Sequence, residues 1–413
     1  MRKRIIFNRS ISNRFVAILL MSLLLVSSAN LSAGAADKPS GKASGQSSEQ
    51  SLNKVESSSQ VVHANLPSSA KSEYRLALPG YKFKFPEDHF SHDEFRTEWW
   101  YYTGHLQSNS GKEFGFELTF FRSGVPVADG VKHGPWVLKN VYMTHLALSD
   151  VAGKKFYHDE KICRAGVGSA GAAENGYKVW TENWSVKREN GKHLLVAKDK
   201  EFGINLQLDE GKIPAIHGEH GVSQKASCVG CASHYYSFTR MPVNGSVSLR
   251  GENLPVKGIA WMDHEFGSNQ LAADQVGWDW YSIHLDDNTE LMLYVMRLKN
   301  GRYDPNSSGT YVLSDGKTEH LPLSSYKVAA NGSWVSPHTG GKYPSRWHVS
   351  VPSRKIDLNI EPLLEDQELL SRRGGISYWE GTCKVSGTKD TKAVTGKAYV
   401  ELTGYARELN KNI

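Results

Sequence analysis

Two short stretches concentrate groups able to move protons. Trp261-Met-Asp-His-Glu-Phe266 and Gly277-Trp-Asp-Trp-Tyr281 interleave Asp263, Glu265, Asp279 and His264 with large aromatics. On an extended strand residues two apart share a face, so Trp278 and Trp280 point one way and Asp279 and Tyr281 the other. A carboxyl facing an interior lined by aromatic rings loses solvation of its charged form. Its pKa rises and it can serve as a proton donor near neutrality. Ring faces would steady a developing carbocation, each well-placed ring contributing about 0.5–2 kcal/mol. Such a pocket suits protonation of an alkene. The same residues also suit a plainer role, hydrogen bonding to backbone groups at barrel corners.

Two other groups invite chemistry and carry less of it. Asp88, His89, His92 and Asp93 are donors of the kind that hold transition metals. Pro86 puts them in a loop, however, and their spacing lacks the helical register of metalloenzyme motifs, so no metal is assigned. Cys228-Val-Gly-Cys231 is expected first as a local disulfide, with a metal or redox role second, because zinc would want another close pair. His234 stands too far beyond Cys231 for haem attachment. Pairing of Cys163 with Cys383 is open. There is no G-x-S-x-G elbow for a hydrolase.

The elements that must position these groups read as strands. Phe114–Arg122, Leu194–Ala197, Ile204–Leu208, Leu291–Arg297 and Tyr399–Leu402 alternate with period two. Turn formers separate them, as at Asn109-Ser-Gly111, Glu189-Asn-Gly191 and Lys299-Asn-Gly301. Short strands with such turns at fairly regular intervals predict antiparallel hairpins closing into barrels or sandwiches. Brief helices are expected only at 362–370 and 270–274.

An internal repeat organises the chain. Glu98-Trp-Trp-Tyr-Tyr-Thr-Gly-His-Leu106 sits beside Gly277-Trp-Asp-Trp-Tyr-Ser-Ile-His-Leu285, matching Trp99 with Trp278, Tyr102 with Tyr281 and His105-Leu106 with His284-Leu285. Arg122 and Arg297 follow the two copies, and the pairs Asp88-His89 and Asp263-His264 precede them. Two barrel-like halves are expected, with divisions at 73–248 and 249–413. The copies differ where Trp100 in the first becomes Asp279 in the second, which marks Asp279 for chemistry.

The beginning of the chain reads as an address. Arg2, Lys3, Arg4, Arg9 and Arg14 precede the apolar run Phe15–Val26, and Ala33-Gly34-Ala35 offers small residues for a signal peptidase. Twelve apolar residues fall short of the roughly 20 that span a bilayer. Residues 1–35 are therefore expected to be a cleaved signal peptide, 36–72 a Ser- and Gly-rich disordered linker, and the mature chain periplasmic or secreted with no stable membrane span. Cleavage lowers the formal net charge from +6 to +1, and no basic cluster interleaved with aromatics appears later. No nucleic-acid partner is expected; the oligomeric state is open.

The stretches 85–106, 114–122, 232–241, 258–268, 276–287 and 378–405 resemble the CrtC/AttH lipocalin-like superfamily, over about residues 80–405. EWWYYTGHL and WMDHEFG, in this order, are its specific motifs. The resemblance implies an all-β protein with two lipocalin-like antiparallel β-barrel domains in tandem. It implies chemistry on isoprenoid or polyketide compounds: carotenoid hydration without a redox cofactor, hydration of a prenyl side chain, or templated cycloaddition. Phe266 departs from the pattern, since hydratases of the family often carry Trp there.

The residues and the resemblance together predict an exported enzyme without a cofactor, acting on a hydrophobic small molecule by acid-catalysed hydration. Asp279, or Asp263 if more buried, would donate the proton. His264 and Tyr281 would orient acid and water, and Trp278, Trp280, Trp99, Trp100, Tyr102 and Phe266 would hold the substrate. A non-catalytic carrier of lipophilic ligands is the alternative, and hydrolysis ranks last.

Overall fold

The structure, a computed structural model, describes residues 74–126, 134, 137–166, 168–372 and 376–409. The expected signal peptide and linker lie outside them. The described residues form one compact unit. It is nearly all β, with 61% strand against 3% helix, as the period-two pattern requires.

Two antiparallel sheets make two barrel-like domains in tandem, the first nearly closed and the second a half-barrel. In the first sheet, Thr97–Ser108 lies between Glu113–Gly124 and Glu252–Gly267, and Ala232–Leu249 pairs beyond the last of these. In the second, Gln275–Leu285 lies between Glu290–Leu298 and Lys392–Leu402, and Tyr378–Lys389 pairs beyond. Each half thus pairs its opening strand with both its second and its final strand. The repeat read from the sequence is a repeat of topology.

The division between halves differs from the expected 248/249. Arg250 and Gly251 form a two-residue turn with φ of 49° and 88°. This left-handed pair matches the twist of the flanking strands and folds Glu252–Gly267 straight back on Ala232–Leu249. The chain passes from one sheet to the other only between Gly267 and Gln275. The expected helices at 362–370 and 270–274 are also absent. The first of these segments ends in a short strand, Glu368–Leu369, hydrogen-bonded to Tyr378–Trp379. Glu368 is tied down by Ser336, Thr339 and Tyr343, with Thr339 at 2.6 Å and Tyr343 at 2.7 Å.

Strand alternation sorts the residues of the repeated strands among three of the molecule's buried clusters. Trp100, Tyr102 and Leu106 pack inside the first barrel, and Tyr281, Ile283 and Leu285 inside the second. The opposite faces of those strands are buried too, against each other: Tyr101, Tyr235, Trp261, Trp280 and Tyr294 form a cluster between the sheets. Here the repeat pairs with itself. Tyr101 meets its equivalent Trp280 edge-on at 5.3 Å, and His105 meets His284 at 6.4 Å. Such aromatic contacts contribute about 0.5–1.5 kcal/mol each beyond area burial.

Candidate active site

A cavity of about 190 Å³ opens between the sheets. Its walls are built by strand register. Across the first sheet, His145, Thr119, Tyr101, Asp263 and Ser237 fall in one lateral row, and Met143, Phe121, Trp99, Glu265 and Tyr235 in the next. Across the second sheet, Tyr294, Trp280, Glu401 and Glu380 fall in a row. All these side chains belong to the face turned away from the barrel interiors, because the residues between them fill those interiors.

The repeat also matches two carboxyls. Asp263 lies opposite Tyr101 on the final strand of the first sheet, and Glu401 opposite Trp280 on the final strand of the second. Tyr101 and Trp280 are equivalent positions, so Asp263 and Glu401 are equivalents, one on each wall of the cavity; Asp88-His89, matched with Asp263-His264 in the sequence, lies instead in the helical turn Glu87–His89 ahead of the first strand. Burial pushes Asp263 up to about 7, although Ser237, Trp261 and Tyr235 donate hydrogen bonds that pull the other way. Trp261 Nε1 reaches Oδ1 at 2.5 Å, and the Tyr235 hydroxyl reaches Oδ2 at 2.8 Å. Trp280 Nε1 donates in turn to Tyr235, at 3.1 Å. Glu401 is raised to about 8, by burial first and then by the charges of Glu117 and Asp263, against a hydrogen bond from Trp278. Burial alone disfavours each charged form.

The structure gathers some predicted site residues and separates others. Asp263, Trp99, Trp278 and Trp280 line the cavity. Asp279 and Tyr281 turn into the second barrel. There Asp279 accepts from Arg297 Nε at 2.9 Å and from the Tyr405 hydroxyl at 3.0 Å. Burial raises it to about 6, with Arg297 opposing. This is the counterpart of Arg122 Nε on Glu98, at 3.0 Å, in the first barrel. The substitution of Asp279 for Trp100 thus supplies the partner of a repeated arginine, and Asp279 stands outside the lining of the cavity. His264, Trp100 and Tyr102 turn into the first barrel, and Phe266 stacks on His92 at 3.6 Å.

That first barrel holds a buried polar network. His264 bonds Glu98 at 2.8 Å and the Tyr236 hydroxyl at 3.0 Å; His92 bonds Glu98 at 2.8 Å and Asp88 at 3.2 Å. His92, Glu98 and His264 are the one grouping of metal-type donors among the described residues. Every ring nitrogen in it already has a hydrogen-bond partner, and Arg122 occupies Glu98, so the grouping is a closed hydrogen-bonded network. Burial alone would lower His92, but hydrogen bonds to Asp88 and Glu98 hold it at about 9. Glu98 resists burial through Arg122, His264 and His92, and lies well below the usual carboxylate range.

Cys228 and Cys231 form the expected disulfide, while Cys163 and Cys383 keep their thiols. A serine–histidine pair does occur: Ser237 Oγ and His217 Nε2 are 2.6 Å apart. Ser237 is fully buried behind Asp263 and donates to it, so its hydroxyl is no exposed nucleophile. Among the described residues no helix is long and apolar enough to cross a membrane.

Glu401 and Lys225, both on the cavity wall, escaped the sequence reading. Glu401 sits in an ordinary alternating strand where a lone Glu suggests a solvent-facing position. The signal for it was the repeat itself: Trp261-x-Asp263 and Tyr399-x-Glu401 place a carboxyl two residues after an aromatic on each final strand.

Fold and cavity define a tandem-barrel protein with an aromatic, carboxyl-bearing cleft between its halves. The chain belongs to the AttH-like family, which it matches over residues 76–405. An AttH structure from Nitrosomonas europaea is 34% identical, with a TM-score of 0.73, covering 81% of this chain and 100% of its own. Kievitone hydratase from Nectria haematococca, solved by crystallography, gives a TM-score of 0.62 at 14% identity, over 83% of this chain and 100% of its own; that likeness is one of fold. In sequence, kievitone hydratase of Fusarium solani subsp. phaseoli is 24% identical over 211 residues, 50% of this chain and 58% of its own. The match therefore spans less than two thirds of that relative.

Proposed function

We propose that the protein is an exported, cofactor-independent enzyme that hydrates an alkene in a hydrophobic small molecule of isoprenoid or polyketide type. The observation that carries this reading is the matched pair of carboxyls, Asp263 and Glu401, raised to about 7 and 8 on opposite walls of one aromatic cavity. The likeness to kievitone hydratase supports it, and the basic segment and apolar run of residues 1–35 support export.

The roles follow from the surroundings of each group. Glu401, raised by burial and by the neighbouring carboxyls against a single opposing hydrogen bond, keeps its proton near neutrality and gives it to one alkene carbon. Trp278, Trp280, Tyr101 and Trp99 present rings to the cation that forms, at about 0.5–2 kcal/mol for each well-placed ring. Asp263, held by three donors that favour its charged form, takes a proton from water as the water oxygen bonds to the cationic carbon. One C–H and one C–O bond form, the π bond is lost, and a proton returns from Asp263 to Glu401 through solvent. The acid thus moves from the expected Asp279 to Glu401, and Asp263 becomes the base.

The test is to incubate the protein with prenylated and polyene substrates in heavy-oxygen water and weigh the products. Label should enter with the native chain and fall sharply in Asp263→Asn and in Glu401→Gln. Tight binding of an unchanged ligand would instead establish the carrier reading, which the mainly aromatic and apolar lining also suits.

A further inference from the structure

The cavity wall carries two buried cations that the hydration step does not use, Arg122 and Lys225. Arg122 is taken up by Glu98, Asn140 and the carbonyls of His92 and Phe95, which leaves Lys225. Lys225 is 7% exposed and lines the cavity beside Glu265. Its Nζ lies 3.0 Å from Glu265 Oε1 and 3.1 Å from Ser223 Oγ, and sits over the Tyr294 ring at 4.2 Å and the Tyr235 ring at 5.1 Å. An ammonium has three N–H donors. Glu265 and Ser223 take two, and among the described residues no acceptor takes the third. Glu265 Oε1 accepts from both Lys225 and Ser233, whereas Oε2 has no partner among the described residues. A free donor and a free acceptor therefore stand side by side in an aromatic wall.

Stability does not call for this arrangement. Two charges withdrawn from water are commonly no better than well-packed apolar side chains of the same size, and the neighbouring Tyr294, Trp280 and Met296 show that apolar groups fill this wall readily. The pair is better suited to a ligand that satisfies both open valences at once. A hydroxyl does so: its proton goes to Glu265 Oε2 and its lone pair accepts from Lys225. A carboxylate would meet the charge of Glu265, an ether has no proton to give, and a hydrocarbon leaves both groups desolvated and unmatched. A hydroxyl on an unsaturated ring is the more acidic kind, so it donates more strongly to a charged acceptor, and its flat ring can lie against Tyr294.

We propose that Lys225 and Glu265 form a recognition site for a phenolic or enolic hydroxyl, which anchors the polar end of the molecule whose apolar part occupies the cavity. The proposal rests on the cavity being the substrate site. It makes the ligand an amphiphile with an acidic hydroxyl, and it excludes a pure hydrocarbon.

The experiment is a fluorescence titration of the full chain with β-naphthol, its methyl ether and naphthoate. Native protein should bind β-naphthol about tenfold or more tighter than the ether, a ratio typical of a hydrogen bond to a charged group, with naphthoate weaker than naphthol. In Lys225→Met and in Glu265→Gln the naphthol-to-ether ratio should fall toward one while ether binding holds. Should Lys225→Met fail to fold by circular dichroism, the isosteric Glu265→Gln carries the test. Equal binding of naphthol and ether, tightest binding of naphthoate, or an unchanged ratio in the folded variants would overturn the proposal. None of these probes has an alkene side chain to hydrate. Hydroxyl selectivity without label incorporation would therefore refute hydration alone, and label incorporation without selectivity would refute this site alone.

Discussion

The two halves of the molecule place equivalent arginines on carboxylates that stand two residues apart in the repeat, Glu98 at the position of Gly277 and Asp279 at that of Trp100. In each, an arginine on the second strand grips a carboxylate on the first: Arg122 on Glu98, Arg297 on Asp279. The first grip is wholly buried and shared with two histidines, and its carboxylate is pulled well below the usual range. The second is partly exposed, and its carboxyl lies near 6. The final strands differ in the opposite sense. Asp263 is wrapped by three donors, while Glu401 has only Trp278 and a higher pKa. A duplicated framework has thus been loaded with one tight anchor and one loose one, and with one carboxyl wrapped by three donors and one opposed by a single donor. In the proposed hydration this difference in surroundings is what divides the labour between the two carboxyls.

The comparison breaks most visibly at the carboxyls. Removing either by Asp263→Asn or Glu401→Gln should lower turnover by about 10²–10⁴-fold, the usual worth of a positioned acid or base, with ligand binding retained; initial rates and equilibrium binding on the same preparations check this. Turnover should also follow a bell in pH. It should rise as Asp263 ionises near 7 and fall as Glu401 ionises near 8, with its maximum between them. A profile flat across that range would remove the division of labour.

The anchors should separate in denaturant. Arg122→Met removes the group that does most to hold Glu98 charged and leaves it fully buried with His92 and His264 alone, and should cost about 3–5 kcal/mol. Arg297→Met should cost less, about 1–2 kcal/mol, because Asp279 can take up a proton and keep its bond to Tyr405. Equal losses in urea melts would contradict the asymmetry. A smaller effect concerns His92. Its folded pKa, near 9, lies above the ordinary 6.5, so its contribution is complete below about pH 6.5 and is lost as pH rises through about 9. Melting temperature should fall across that interval in the native chain and fall less in His92→Gln.

Much of the fold was legible because it is written in short periods. Alternation, turn residues and the recurrence of Trp99-x-x-Tyr102-x-x-His105 at Trp278-x-x-Tyr281-x-x-His284 were enough for tandem barrels. The boundary was not, since two residues at Arg250-Gly251 decide to which sheet a sixteen-residue strand belongs. Alternation also put Trp278 and Trp280 on one face and Asp279 and Tyr281 on the other. It could not say which face was the cavity, because both faces of these strands are buried and a period of two is silent about what covers each. Asp263 was found from its aromatic neighbours. Glu401 required the repeat to be carried to the final strands, and Lys225, a lone lysine after a two-residue strand, had no pattern to betray it.

Carboxyl infrared spectra of the native chain and its variants test the central claim most directly. At neutral pH the difference between native and Glu401→Gln should contain a protonated carboxyl band that titrates away near pH 8. The difference for Asp263→Asn should show a band that is already about half lost at pH 7. Two carboxyls ionised throughout that range, or two that titrate together below pH 5, would contradict an acid and a base prepared by one duplicated frame.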